Sequence, residues 1–140
     1  MQFGRQITLS ETTRHEYSKV EFLCSPFEFL ENAIFVSWVD FKGTTYNSNN
    51  MSVLINFSDN PNILPIFGLI LSIFIQTNNI PFFICKIYEN KYFDEHFQAY
   101  NVQLTEKLIC CSVEQLDCVH PTVHCVLSNG LSYIYLHKHM

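Results

Sequence analysis

No long stretch of the chain repeats its apolar residues at the 3.6-residue period of a helix. The apolar runs are short, rich in Ile, Val, Phe and Tyr, and parted by Gly, Asn, Asp, Ser and Pro, which is the pattern of strands joined by turns. From Ala33, AIFVSWVDFKGTTY reads as a hairpin turning at Lys42–Gly43, with Trp38 packed beneath it. NSNN is a loop, MSVLINF a strand, and SDNPN a turn built from residues that favour turns. Two apolar strands follow, near 64–75 and 81–89, joined at Gln76–Asn79. ENKYFDEHF reads as a polar connection. FQAYNVQL is a further strand, with Phe97, Ala99 and Asn101 on one side and Gln98, Tyr100 and Val102 on the other, and KLICCSV is another. In TVHCVLSNGLSYIYL, Asn129–Gly130 is the favoured pair for a two-residue hairpin turn. That turn would set Leu127 against Ser132, Cys125 against Ile134 and Val123 against Leu136 on an apolar face, with Val126 beside Tyr133 and His124 beside Tyr135 on the other. Residues 1–32 are polar, punctuated by Glu11, Glu16, Glu21, Glu28 and Glu31, and read as a loosely attached N-terminal arm or linker before a domain spanning 33–140.

The run from residue 61 to 85 holds no charged side chain. A membrane helix needs about 20 apolar residues. The strongest part, Ile63 to Ile75, is shorter than that, contains Pro65 and Gly68, and stops at QTNN. Ile and Phe dominate it. The reading is therefore two buried strands, the first apolar on both faces and central in its sheet, with insertion of residues 63–84 into a membrane as the alternative.

Composition narrows the choice of function. The 140 residues suit one domain, 48% are hydrophobic and only 15% charged, too apolar for a disordered chain. The formal net charge of −5 and the scattering of the eight Lys and Arg residues argue against direct nucleic-acid binding and against an acidic membrane surface. The beginning of the chain lacks an apolar signal stretch, so the six cysteines are expected as thiols in a cytoplasmic or nuclear compartment. The sequons at Asn50 and Asn56 matter only under the alternative of secretion. Low surface charge and sheet edges favour self-association.

Two clusters invite chemistry. CCSVEQLDCVHPTVHC could supply a tetrahedral zinc site from Cys111, Cys118, His120 and His124, the histidines having H-x3-H spacing. It has no C-x2-C pair, and the stronger reading is structural: Cys125 lies on the apolar face of the hairpin, His124 opposite Tyr135 on the other, and Pro121 breaks the strand between the two histidines. FDEHFQAY offers Asp94, Glu95 and His96 for acid–base work, and Cys85 with His96 could form a thiol nucleophile. No motif supports either, and the preferred reading of the triplet is a solvated connection between strands. Gly-rich phosphate loops, G-x-S-x-G and H-E-x-x-H are missing from the sequence.

Three stretches, SWVDFKGTTY, PIFGLILSIFI and FFICKIYENKYFDEHFQAYNV, resemble the C-terminal part of uncharacterised animal proteins associated with mobile elements. The resemblance covers residues 33–136 and brings no activity with it. The layout is similar to small β-barrels of the bromo-adjacent-homology or Tudor type, which implies peptide binding or protein–protein contact. Readers of methylated lysine close several aromatics around a cation. The candidates here are Trp38, Tyr46, Tyr88, Tyr92 and Tyr100. The expectation is thus a mainly β protein, a small antiparallel barrel or bent sheet of six to eight strands with an N-terminal arm. Its expected work is non-enzymatic: a protein-interaction module taking an extended peptide or partner protein, without a cofactor. A zinc-stabilised domain, a membrane-associated or secreted protein, and a degenerate copy without function are the alternatives.

Overall fold

A computed structural model of the chain describes residues 1–17, 21–22, 33–48, 51–60, 62–76, 79–117 and 121–135. In chain order its elements are β1 (Gln2–Phe3), β2 (Gln6–Ile7), α1 (Glu11–Tyr17), β3 (Glu21–Phe22), β4 (Ile34–Val36), β5 (Trp38–Phe41), β6 (Thr44–Asn47), β7 (Ser52–Asn56), β8 (Ile66–Ile75), β9 (Pro81–Asp94), β10 (Ala99–Ser112), a 3-10 turn (Val113–Gln115), β11 (Val123–Val126) and β12 (Ser132–Tyr135). The fold is mainly β, a curled antiparallel half-barrel of seven strands with a second small sheet beside it. The seven run in the order β11-β12-β10-β9-β8-β4-β2, with β7 also on β8 and β3 parallel on β10; the small sheet is β1-β5-β6.

The charge-free run forms β8 and the start of β9. β8 is paired on both edges, to β9 along one and to β7 and β4 along the other. Both of its faces are largely buried, as an apolar strand without alternation requires. No helix among the described residues is long and apolar enough to cross a membrane.

The sheet has an inner and an outer face, set by the alternation of side chains along each strand. The inner face carries two clusters. One is Leu54, Phe67, Tyr88, Val102 and Ile134; the other is Tyr17, Phe35, Phe74, Phe82, Ile84 and Cys110. The outer face carries a larger core that includes Ile70, Ile73, Phe83, Cys85, Ile109 and Cys111, capped by Val39 and Tyr46 of the small sheet and by Val113 and Leu116. The curl is measurable. Tyr88 on β9 and His124 on β11 are three strand spacings apart, about 14 Å in a flat sheet. Their rings nevertheless lie 5.7 Å apart across the inner face. Ser52 of β7 then meets Thr122, just ahead of β11, in an isolated antiparallel bridge. The Thr122 N–H donates to the Ser52 carbonyl at 2.9 Å, and the two hydroxyls lie 2.7 Å apart. The path β7-β8-β9-β10-β12-β11 therefore closes on itself at one point.

Several elements differ from the sequence reading. The connection expected at 89–97 is strand as far as Asp94, and the turn is only Glu95–Gln98. Asp94 organises that turn by accepting the N–H groups of His96 at 2.9 Å and Phe97 at 3.3 Å. The two strands expected at 97–104 and 107–113 are one strand, β10, which slips by two residues against β9 between Leu104 and Leu108. Thr105 stabilises this bulge by donating its hydroxyl to the Ile87 carbonyl at 2.7 Å. AIFVSWVDF is two strands in two sheets, parted at Ser37. Trp38 does not pack beneath the hairpin; its indole lies against Gly4 and is 36% exposed. The Lys42–Gly43 turn is as expected, with φ of 51° and 85° joining Phe41 to Thr44. The N-terminal arm is stitched down rather than loosely attached: β1 pairs with β5, β2 with β4, and Tyr17 is buried on the inner face.

The last hairpin is off by one residue. The observed pairs are Val126–Ser132, Cys125–Tyr133, His124–Ile134 and Val123–Tyr135. The loop is three residues long, Ser128 to Gly130, closed by Leu127 N–H donating to the Leu131 carbonyl at 2.8 Å. Gly130, at φ +86°, takes the left-handed third position of a bulged turn. A one-residue slip exchanges the faces, so His124, not Cys125, shares the inner face with Ile134.

Candidate functional site

On the outer face, the bulge in β10 and the 3-10 turn leave a groove of about 420 Å³. Its apolar wall comes from four strands: Ile55 of β7, Ile66 of β8, Ile87 of β9 and Ile109 of β10. Asn56, Lys107, Gln115 and Asp117 make its polar rim. Each lies where it does for a local reason. Ile87 and Ile109 are outward-facing residues of long strands. The bulge re-aims Lys107, which regular pairing would carry along the sheet, toward the groove. Gln115 accepts the Ser112 N–H at 2.8 Å, which ties the 3-10 turn back to β10. Asp117 accepts the Phe57 N–H at 2.5 Å, which ties the same turn to the end of β7. Ile66 is 41% exposed, so the groove presents an aliphatic floor within a charged and amide-bearing rim. Its volume falls in the lower part of the range of pockets that hold small ligands or side chains.

The five aromatics named from the sequence are not brought to one place. Tyr46 is buried against Phe83 on the outer face, ring centroids 5.0 Å apart. Trp38, next to Val39 in β5, points to the opposite face of the small sheet from Tyr46, which pairs with Val39. Tyr88 and Tyr100 belong to the inner face, Tyr88 against His124 and Tyr100 against Phe67 at 5.6 Å and Phe93 at 5.0 Å. Burial raises both phenols above their ordinary pKa. Tyr92 is exposed at the far end of β9.

Of the zinc candidates, Cys118 and His120 lie outside the described residues. Cys111 and His124 are on opposite faces of the sheet. Cys111 is buried in the outer core with Cys85, whose thiol is pushed well above its ordinary pKa by a hydrogen bond with Cys111 and by burial. His124 lies against Tyr88, its Nε2 buried without a hydrogen-bond partner. Burial lowers its pKa. Among the described residues, no three His, Cys, Asp or Glu side chains are grouped to hold a metal. The Cys85–His96 pair is not assembled either. Cys85 sits nine positions before the end of β9, roughly 30 Å along an extended strand, and His96 is in the exposed turn against Phe97.

In comparisons with family models, curated proteins and solved structures, nothing matches the chain. None of the groove residues stands out in the sequence, because an isoleucine in a strand is ordinary. The signal that was present is the break in alternation at LTEKL, residues 104–108, which reads as a strand boundary and is instead the bulge that frames the groove.

Proposed function

We propose that the chain is a non-enzymatic, intracellular protein-interaction module that holds an extended segment of a partner protein on its outer face, an aliphatic side chain of that segment filling the isoleucine groove. The groove itself carries the reading: an aliphatic lining open to solvent at Ile66 and partly at Ile87, inside a polar rim, is the arrangement by which peptide grooves gain affinity from a buried side chain and orientation from the rim. Two observations support a non-catalytic role. The Cys85 thiol is buried and held protonated, and His96, its one suggested partner, lies in the exposed turn against Phe97. The thiol state of Cys85, Cys110, Cys111 and Cys125 supports an intracellular setting. The resemblance of SWVDFKGTTY and its companion stretches supports a mobile-element-derived parent.

The test is selection of a random displayed peptide library on the immobilised chain, followed by affinity measurement on the selected peptides. Enrichment of aliphatic-containing peptides is expected, with a loss of about tenfold or more in Ile66→Asp, since a charge on the floor opposes burial of an apolar side chain. Ile66 is exposed enough for this change to leave the fold intact, which circular dichroism checks. Failure to enrich any sequence, or binding indifferent to Ile66→Asp, overturns the reading.

A further inference from the structure

Beyond the groove, the outer face of β9 leads to a second constellation at Tyr92 and Asp94. Tyr92 pairs with Asn101 of β10, and Asn101 pairs with Tyr133 of β12. The three therefore stand in a row across the face. Tyr133 is the hub. Its hydroxyl donates to Asp94 Oδ2 at 3.2 Å, it hydrogen-bonds Tyr92, and its ring lies 5.1 Å from that of Phe97. Tyr133 is buried, while Tyr92 is 49% and Phe97 38% exposed. Two accessible rings thus flank a carboxylate, and at the same end Glu89 and Glu95 are exposed beside one lysine, Lys91, and His96. Aromatic faces beside a carboxylate attract a cationic side chain through the ring quadrupole and the charge together. The chain's net charge of −5 has the sign that draws such a partner.

The spacing joins the two features. Ile87, in the groove wall, and Tyr92 are five positions apart in sequence, but β9 carries one extra residue against β10 between Asn90 and Tyr92, which brings both to the outer face and makes the span that of about four strand residues, roughly 13 Å. A regular extended peptide lying along β9 covers that distance in about four residues, an even separation that points both side chains to the same side.

We propose that the partner segment is bipartite, with an aliphatic side chain in the isoleucine groove and, about four residues along, a cationic side chain held by Tyr92, Phe97 and Asp94. This rests on the groove being the docking site. Glu89 lies between the two subsites, and a neutral or basic residue of the peptide passes it.

Synthetic Thr/Ser peptides carrying one Ile and one Arg test the proposal, read by isothermal titration and by amide chemical-shift changes in the unaltered chain. Placing Arg about four residues from Ile is expected to tighten binding about tenfold over the Ile-only peptide. Exchanging that Arg for Glu, or moving it next to the Ile, is expected to remove the gain. The double variant Tyr92→Ala, Phe97→Ala loses the gain from Arg and keeps the contribution of Ile; Ile66→Asp does the reverse. Shift changes should cover both the groove and the Tyr92–Ala99 turn. If the Ile-only peptide binds and Arg adds nothing at any spacing, or adds the same at every spacing, the bipartite reading is overturned while the groove stands. If no Ile-bearing peptide shifts the groove residues, both readings are overturned.

Discussion

Tyr17 ties the N-terminal arm to the body of the protein. Its ring stacks on Phe35 at 6.3 Å and its hydroxyl shares a 2.5 Å hydrogen bond with Ser72 of β8. Burial raises the phenol above its ordinary value of 10.0, and the bond with Ser72 pulls it part of the way back. A group whose pKa is raised by folding contributes stability that is complete below the unfolded value and fades as pH climbs through the folded one. Urea midpoints of the protein are therefore expected to fall above pH 10. Tyr17→Phe has no such proton to lose, so its midpoint should fall less steeply over the same range, from a starting stability lower by about 1 kcal/mol for the lost bond. Equal slopes for the two proteins would rule out Tyr17 as a source of the alkaline loss. The importance of Tyr17 was not legible in the sequence, where it is one tyrosine in a polar leader. Burial there depends on Phe35 and Phe74, residues far along the chain that no local pattern links to it.

At the level of elements, the strands were legible and their ends were not. Turn residues punctuate the chain, so Lys42–Gly43, Gln76–Asn79 and Asn129–Gly130 were all found. What a turn pair does not declare is its loop length. At Asn129–Gly130 the third loop position requires the left-handed conformation, and only the observed register shows that His124 faces inward. The measurement that checks this turn is Gly130→Ala. Nothing obstructs a Cβ there in space, but φ is +86°, so the cost is conformational, about 1–2 kcal/mol, seen as a lower unfolding midpoint. Were Gly130 instead in an ordinary right-handed turn, the same change would stabilise slightly. The ENKYFDEHF stretch reads as a connection because it is polar. It is strand because the ends of long hairpins reach past the core, where exposed Glu89 and Lys91 cost nothing. The candidate site was illegible for a related reason: bulges and packed turns assemble it from four strands, and pattern reading treats each strand alone.

For the whole molecule, closure at Ser52 and Thr122 is the thinnest part of the half-barrel. β8, β9 and β10 are paired on both sides and supply most of both cores, whereas β11 is short and pairs with β12. Native-state hydrogen exchange should therefore be slowest in the middle of β8 and β9 and markedly faster in β11. Ser52→Ala removes the buried hydroxyl that meets Thr122 and should accelerate exchange in β11 and β12 while leaving β9 nearly unchanged. A uniform acceleration would instead place Ser52 in the global unfolding unit. The N-terminal arm has a consequence in time. β1, β2 and Tyr17 all precede what they pack on, and Tyr17 waits for Ser72, 55 positions later. At the pace of synthesis, about 5–20 residues per second, that delay is roughly 3 to 11 s. During it, Tyr17 travels ahead of the ribosome without its partner on β8, so the part of the fold made first waits for the middle of the chain before it finds its place.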